Sequence, residues 1–268
     1  MSEALSKTLH GDFDSVFYEV TQPEKVTWTT DGQLRLFHLN IRNNKFNPEE
    51  MKTLLYRNIG EYVFSRAKIE NFKVSGDAFA VGAQAIRVIN KNGNADVKGT
   101  GAELGEMLLY SFLEEKLKAP KLMSRVELST DAKQYASTCD GIHLLTSGTS
   151  GLPYHQVVFG ASSIVGDLTY AIDAAFNSIL EIENNEDNEL HMVDNVIFDR
   201  LLNDDEVELA KEIFVPSPNK RTSYNTSYGV FLGYTLGLDP ALYPLHEFPD
   251  IAEEKMQADI KRNTDYIL

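Results

Sequence analysis

The chain has a single cysteine, Cys139, among its 268 residues. A lone thiol closes no internal disulfide, and no Cys/His set has zinc spacing, which excludes disulfide scaffolds and zinc modules. Long apolar stretches are missing too: the run GVFLGYTLGL at residues 229–238 is well short of the roughly 20 residues that span a bilayer. The polar opening MSEALSKTLHGDFDS has no apolar stretch of the signal-peptide kind, so the expected location is the cytoplasm, with no membrane partner. No repeat of fixed period is present. Basic residues are scarce, 25 Lys and Arg against 40 Asp and Glu, and the net charge of −15 repels a polyanion at long range. Tight binding of nucleic acid by this chain alone is therefore not expected.

What is present is the composition of a globular protein. Hydrophobic residues make up 43% and charged residues 24%, enough to build one large domain or two small ones. The acid excess is uneven. Residues 181–214 hold 12 acids and two bases, Arg200 and Lys211, a local balance of −10. Such a segment reads either as solvated helical faces or as a docking surface for a basic partner.

Periodicity orders the elements. QLRLFHLNI, Gln33 to Ile41, alternates with a phase slip at Phe37 and predicts a strand with a bulge. Asn47 as N-cap, Pro48 and Glu50 open a helix with Met51, Leu54, Leu55, Tyr62 and Val63 on one face. GDAFAVGAQAIRVI (76–89) predicts a second helix. NKNGNADVKGTG, Asn90 to Gly101, marks a boundary. It separates an N-terminal accessory region, 1–98, packed on the core, from a main unit, 99–268, that carries the acidic insertion at about 181–214.

The main unit opens with a helix from Ala102 to Leu117, apolar along Leu104, Met107, Leu108, Phe112 and Leu113 and stopped by Ala119-Pro120. Three strands are predicted next: KLMSRVEL (121–128), CDGIHLL (139–145) and HQVVFGASS (155–163). An amphipathic helix from Gly166 turns Leu168, Ile172, Ala175, Ile179 and Leu180 inward. After the acidic segment come the strand YGVFLGYTL and a last helix from Asp250 to Asn263. The fold class is therefore α/β, with an α-β-β-β-α-β core.

Three kinds of chemistry compete. GTGAELG, Gly99 to Gly105, opens a helix as dinucleotide-binding loops do, but its Gly spacing is wrong and no buried strand precedes it. Ser150 and Ser162 lie among glycines without forming G-x-S-x-G, and turn chemistry describes Ser150 better than a nucleophile. Carboxylates are the better lead. Glu103 and Glu106 stand at i and i+3 near the start of one helix, and Asp140 enters the second strand beside Cys139. Acids converging from different elements suit Mg²⁺, which takes hard oxygen ligands.

These residues lie in stretches with a known likeness. GAELGEMLLYSFLEEKLKAPKLMSRVELST, then CDGIHLL and VVFGASSIVGDL, resemble the HamA family, the nuclease subunit of the Hachiman anti-phage defence system, whose core is similar to PD-(D/E)xK nucleases. The likeness is strong over roughly residues 100–170 and looser at NTSYGVFLGYTL. It implies a restriction-endonuclease-like core and a Mg²⁺- or Mn²⁺-dependent DNA nuclease. The family's helix Glu falls on Glu106 and its strand Asp on Asp140, and these two would be the metal ligands, with Glu103 a neighbour. The resemblance also implies a partner, an ATP-dependent helicase like HamB, which would bring DNA to an acidic subunit.

The chain departs from the family at the third strand. The pattern there reads like Gly-Glu-Ser-Lys, whereas this chain has Gly160-Ala161-Ser162-Ser163. Ala161 stands at the family Glu position and Ser163 at the family Lys position. Ala offers no ligand, and Ser offers neither positive charge nor a strong base at neutral pH. Two losses in one motif mark an inactivated site, engineered or natural in origin. His143, Glu127 and His155 lie near enough in sequence to be alternative ligands, although structural hydrogen bonding is the commoner role for such residues. A non-enzymatic docking or regulatory subunit of a helicase complex is the competing reading.

Overall fold

The computed structural model describes residues 5–21, 32–92, 102–131, 137–147, 154–196, 204–214 and 224–267. Its N-terminal part holds two small antiparallel pairs. Strands β1 (Phe17–Val20) and β2 (Leu36–Leu39) pair with Phe17 opposite Leu39. β3 (Ile41–Arg42) and β4 (Lys45–Phe46) form a hairpin around Asn43 and Asn44, at φ 50° and 62°, the left-handed pair that a two-residue turn between twisted strands needs. The predicted single bulged strand is thus two strands, broken at Asn40, whose N–H donates to the Val16 carbonyl.

Three helices complete this part: α1 (Pro48–Val63), α2 (Arg66–Val74) and α3 (Val81–Asn92). Leu54, Leu55, Tyr62 and Val63 are buried along α1, as the periodicity predicts. The Asn47 side chain makes no cap bond, so Pro48 and the acids Glu49 and Glu50 mark the start of α1 instead.

Next come α4 (Ala102–Lys116), β5 (Lys121–Ser124), α5 (Arg125–Asp131), β6 (Gly141–Ser147), β7 (Tyr154–Ile164), α6 (Leu168–Asn184), α7 (Glu186–Val196), α8 (Asp204–Phe214), β8 (Tyr224–Gly233) and α9 (Phe248–Ile267). The four strands form one mixed sheet in the order β5-β6-β7-β8, antiparallel twice and then parallel between β7 and β8. A parallel neighbour needs a long crossover, and α6 to α8 supply it. The expected sequence α-β-β-β-α-β is present, with one correction. KLMSRVEL is a strand only as far as Ser124, because Ser124 and Glu127 form a capping box that starts α5. Glu127 N–H donates to Ser124 Oγ at 3.3 Å, and Ser124 N–H donates to Glu127 Oε2 at 2.9 Å.

The two faces of the sheet are covered differently. α4 lies so close to β7 that a Cβ at Gly160 would stand 2.5 Å from Leu109 Cδ2, and one at Gly105 2.8 Å from Ser162 Oγ. On the other face, Ile142, Leu144, Val157, Phe159 and Ala161 join Ile182, Val193, Leu209 and Ile213 in one cluster. The acidic segment is therefore a core layer, with its acids around an apolar inner face. Leu168, Ile172 and Ala175 of α6 are buried and Ile179 packs against the core, as predicted; Leu180 alone is 54% exposed, and Ile182, at i+3 from Ile179 on the same face, is buried instead.

The N-terminal part shares a core with the sheet's helix. Leu9, Phe13, Phe17, Leu54 and Tyr62 cluster with Met107, Leu108 and Tyr110 of α4. Two polar anchors fix the joint. Glu114, fully buried, accepts bonds from Thr8 N–H, Thr8 Oγ1, Leu9 N–H and Lys121 N–H. The Lys121 ammonium donates to the carbonyls of Glu61, Tyr62 and Phe64 at the end of α1 and to Glu127 Oε2 at 2.9 Å. A cation at a helix C-terminus also answers the macrodipole. Replacing Lys121 by Met would leave Glu127 and those carbonyls buried without their donor. Chemical denaturation is expected to show a loss of about 3–5 kcal/mol for Lys121→Met.

Candidate functional site

Two of the sequence-predicted acids meet at one end of the sheet. Glu106 sits on α4 one turn inside its start, and Asp140 immediately precedes β6. Both side chains are almost wholly buried, at 8% and 9% exposed, and Arg125, the first residue of α5, lies between them. Its Nη1 donates to Asp140 Oδ1 at 2.7 Å, and its Nε stands 3.7 Å from Glu106 Oε1. The other oxygens are also engaged. Tyr62 hydroxyl donates to Glu106 Oε2 at 2.6 Å, and Ser162 donates to Asp140 Oδ2 from its N–H and from its Oγ, each at 2.7 Å.

Register explains which residues of β7 reach this point. Gly141 pairs with Gly160 and Asp140 N–H donates to the Gly160 carbonyl at 2.8 Å, so the next antiparallel step sets Asp140 across from Ala161. Ala161 is fully buried, in the apolar cluster on the face away from α4. Alternation puts Ser163 on the same face as Ala161 and turns Ser162 toward α4. Glu106 and Asp140 are thus brought together with Ser162, while Ala161 and Ser163 add no polar group to the cluster. Glu103 is half-buried, and its charge acts on Glu106.

The other candidate ligands have partners of their own. His143 is buried, with Nδ1 donating to the Ala119 carbonyl at 2.8 Å, and burial lowers its pKa to about 4, which leaves it neutral. His155 Nδ1 lies 3.0 Å from Thr146 Oγ1. Glu127 is held by Lys121 and Ser124. Ser150 lies outside the described residues. Among the described residues, no three His, Cys, Asp or Glu side chains come together as a metal site. With three of the four carboxylate oxygens hydrogen-bonded and a guanidinium between the two acids, the residues present do not fit a resident Mg²⁺ or Mn²⁺.

Arg125, Tyr62 and Ser162 are members that the sequence reading missed. The signal for Arg125 was there: Ser124-x-x-Glu127 is a helix start, and it moves Arg125 from mid-strand to the first turn of α5. Ser162 fails the G-x-S-x-G pattern of a nucleophile, and no sequence signal ties Tyr62 to an acid 44 residues away.

The HamA family model matches residues 14–268. The chain belongs to the HamA family. The match runs over nearly the whole chain, so the N-terminal helices and β1–β4 are part of the HamA unit together with the sheet. No curated protein and no solved structure matches. As a HamA-family member the chain is associated with Hachiman anti-phage defence, and no helix among its described residues is long and apolar enough to cross a membrane.

Burial and then the charge of Asp140 raise the Glu106 pKa to about 7, against the opposing effects of Tyr62 and Arg125. The folded protein therefore binds this proton more tightly than the unfolded chain. That stabilisation is complete below the ordinary carboxyl value of 4.5 and is lost as pH rises through about 7. Between pH 5.5 and 8 the term amounts to about 2 kcal/mol. Urea titrations at the two pH values are expected to show a smaller pH-dependent loss for Glu106→Gln than for the unsubstituted protein, by about that amount.

Proposed function

We propose that this HamA-family chain serves anti-phage defence as the non-cleaving subunit of a DNA-processing complex. Its core belongs to the PD-(D/E)xK nuclease class, and its partner is an ATP-dependent helicase of the HamB kind. The helicase brings the DNA, which an acidic chain of net charge −15 would not gather alone.

The observation that carries this reading is that β7 brings Ser162, and neither an acid nor a Lys, to Glu106 and Asp140, while Ala161, across the ladder from Asp140, turns its methyl group into the apolar cluster on the other face. A metal-dependent phosphodiesterase of this class holds its cation with acids on adjacent strands, and a nearby Lys steadies the developing charge. Ala161 and Ser163 supply neither function. The order α4-β5-β6-β7-α6-β8 and the place of Asp140 at the head of β6 support a nuclease-like ancestry. What remains is a cluster whose residues bind one another: Ser162 and Arg125 hold Asp140, and Tyr62 holds Glu106.

DNA cleavage measured with Mg²⁺, ATP and the helicase tests the proposal. The unsubstituted chain is expected to leave DNA intact. Ala161→Glu with Ser163→Lys, checked for folding by thermal melting, is expected to leave DNA intact as well, because position 161 points into the apolar cluster on the face away from Glu106. Cleavage by the unsubstituted chain would overturn the reading, and so would its failure to bind the helicase.

A further inference from the structure

We propose that Arg125 is an internal counter-cation: its guanidinium takes the place between Glu106 and Asp140 that a divalent cation would occupy, and the two carboxylates become a cation site only when that charge is removed. The inference rests on reading Glu106 and Asp140 as the remnant of a metal-binding pair, and it assigns the missing positive charge to a residue of the chain itself.

Arg125 opens α5, where the positive end of the helix dipole disfavours a cation. Nothing in the local sequence calls for Arg there; the two acids do. Its main-chain N–H donates to the Asp140 carbonyl at 3.2 Å, and its side chain then turns back so that Nη1 meets Asp140 Oδ1 at 2.7 Å and Nε approaches Glu106 Oε1 at 3.7 Å. Both acid side chains are more than nine-tenths buried, and two carboxylates facing one another in such a setting repel unless a positive charge separates them or one of them keeps a proton.

Lys121, the neighbouring buried cation, is 2% exposed and fixed by three carbonyls and a carboxylate. Arg125 is 46% exposed along its side chain, so the guanidinium can be withdrawn without opening the core. The oxygens it would release, Glu106 Oε1 and Asp140 Oδ1, face each other across it. The remaining oxygens stay oriented by Tyr62 and Ser162. Hard oxygen ligands from two elements, completed by water, match what Mg²⁺ and Mn²⁺ take.

The test uses MnCl₂ and the full chain, with free Mn²⁺ read by electron paramagnetic resonance and the thermal midpoint followed in parallel. Arg125→Gln and Arg125→Met remove the charge, the first keeping a hydrogen-bond donor and the second only the bulk. Each is expected to bind Mn²⁺ saturably, about tenfold or more tightly than the unsubstituted protein, and to melt higher in its presence. Adding Asp140→Asn is expected to erase both effects. Saturable binding by the unsubstituted chain that matches the variants overturns the proposal. So does a folded variant that gains no binding, or a pair of variants that stay unfolded even with Mn²⁺ present. Cleavage is not read here. Mn²⁺ binding by the unsubstituted chain with DNA left intact would therefore remove Arg125 from this role and leave the non-cleaving subunit standing.

Discussion

The architecture depends on one buried ammonium group. Lys121 begins β5, the edge strand that leads into the candidate site, and its backbone and side chain are tied to different parts of the protein. Its N–H is fixed by Glu114 of α4, while its Nζ closes the carbonyl end of α1 and meets Glu127 of α5. Burying a charge is unfavourable unless donors and acceptors are matched around it, and here the end of α1 and Glu127 of α5 match the ammonium while Glu114 of α4 takes the backbone N–H. Moving any one of them would strand a charge or a carbonyl, so this joint tolerates little slippage between the N-terminal helices and the sheet.

That constraint explains why the N-terminal part is not an appendage. Glu114 receives the backbone of Thr8 and Leu9 as well as that of Lys121, which stitches the first described segment to the helix that covers the sheet. The acidic helices complete the enclosure on the opposite face. Arg66 at the start of α2 stands 3.7 Å from Glu206 of α8, both side chains 9% exposed. Glu189 of α7 accepts from Ser137 Oγ and Thr138 N–H just before Asp140. The acid-rich insertion thus borders the approach to the site, and among its described acids only Glu189 and Glu206 are buried.

At the site the same logic works with a looser grip. Glu106 and Asp140 are held by neutral donors on one side and by a half-exposed guanidinium on the other. In a HamA-family chain whose third strand has Ala161 and Ser163, the cluster satisfies itself internally. Ala161 contributes to the core between β6 and the insertion helices, where a methyl group packs without any unmet polar requirement.

Local pattern determined much of this protein. The stripe on α1, the stop at Ala119-Pro120, the alternation along β6 and β7 and the order of the core elements all follow from periodicity and turn residues, which act over a few positions. Asp140 and Glu106 were legible as acids near element starts, and the altered third-strand motif was visible through its likeness to HamA. Tertiary structure decided the rest. Whether SRVE continued a strand or opened α5 turned on a capping box competing with β-propensity, and that choice delivered Arg125 to the two acids. The inward face of the acidic helices and the bond from Tyr62 to Glu106 depend on contacts between residues tens of positions apart. No local pattern encodes those, because the energy that selects them exists only once α1, α4 and the sheet are packed together.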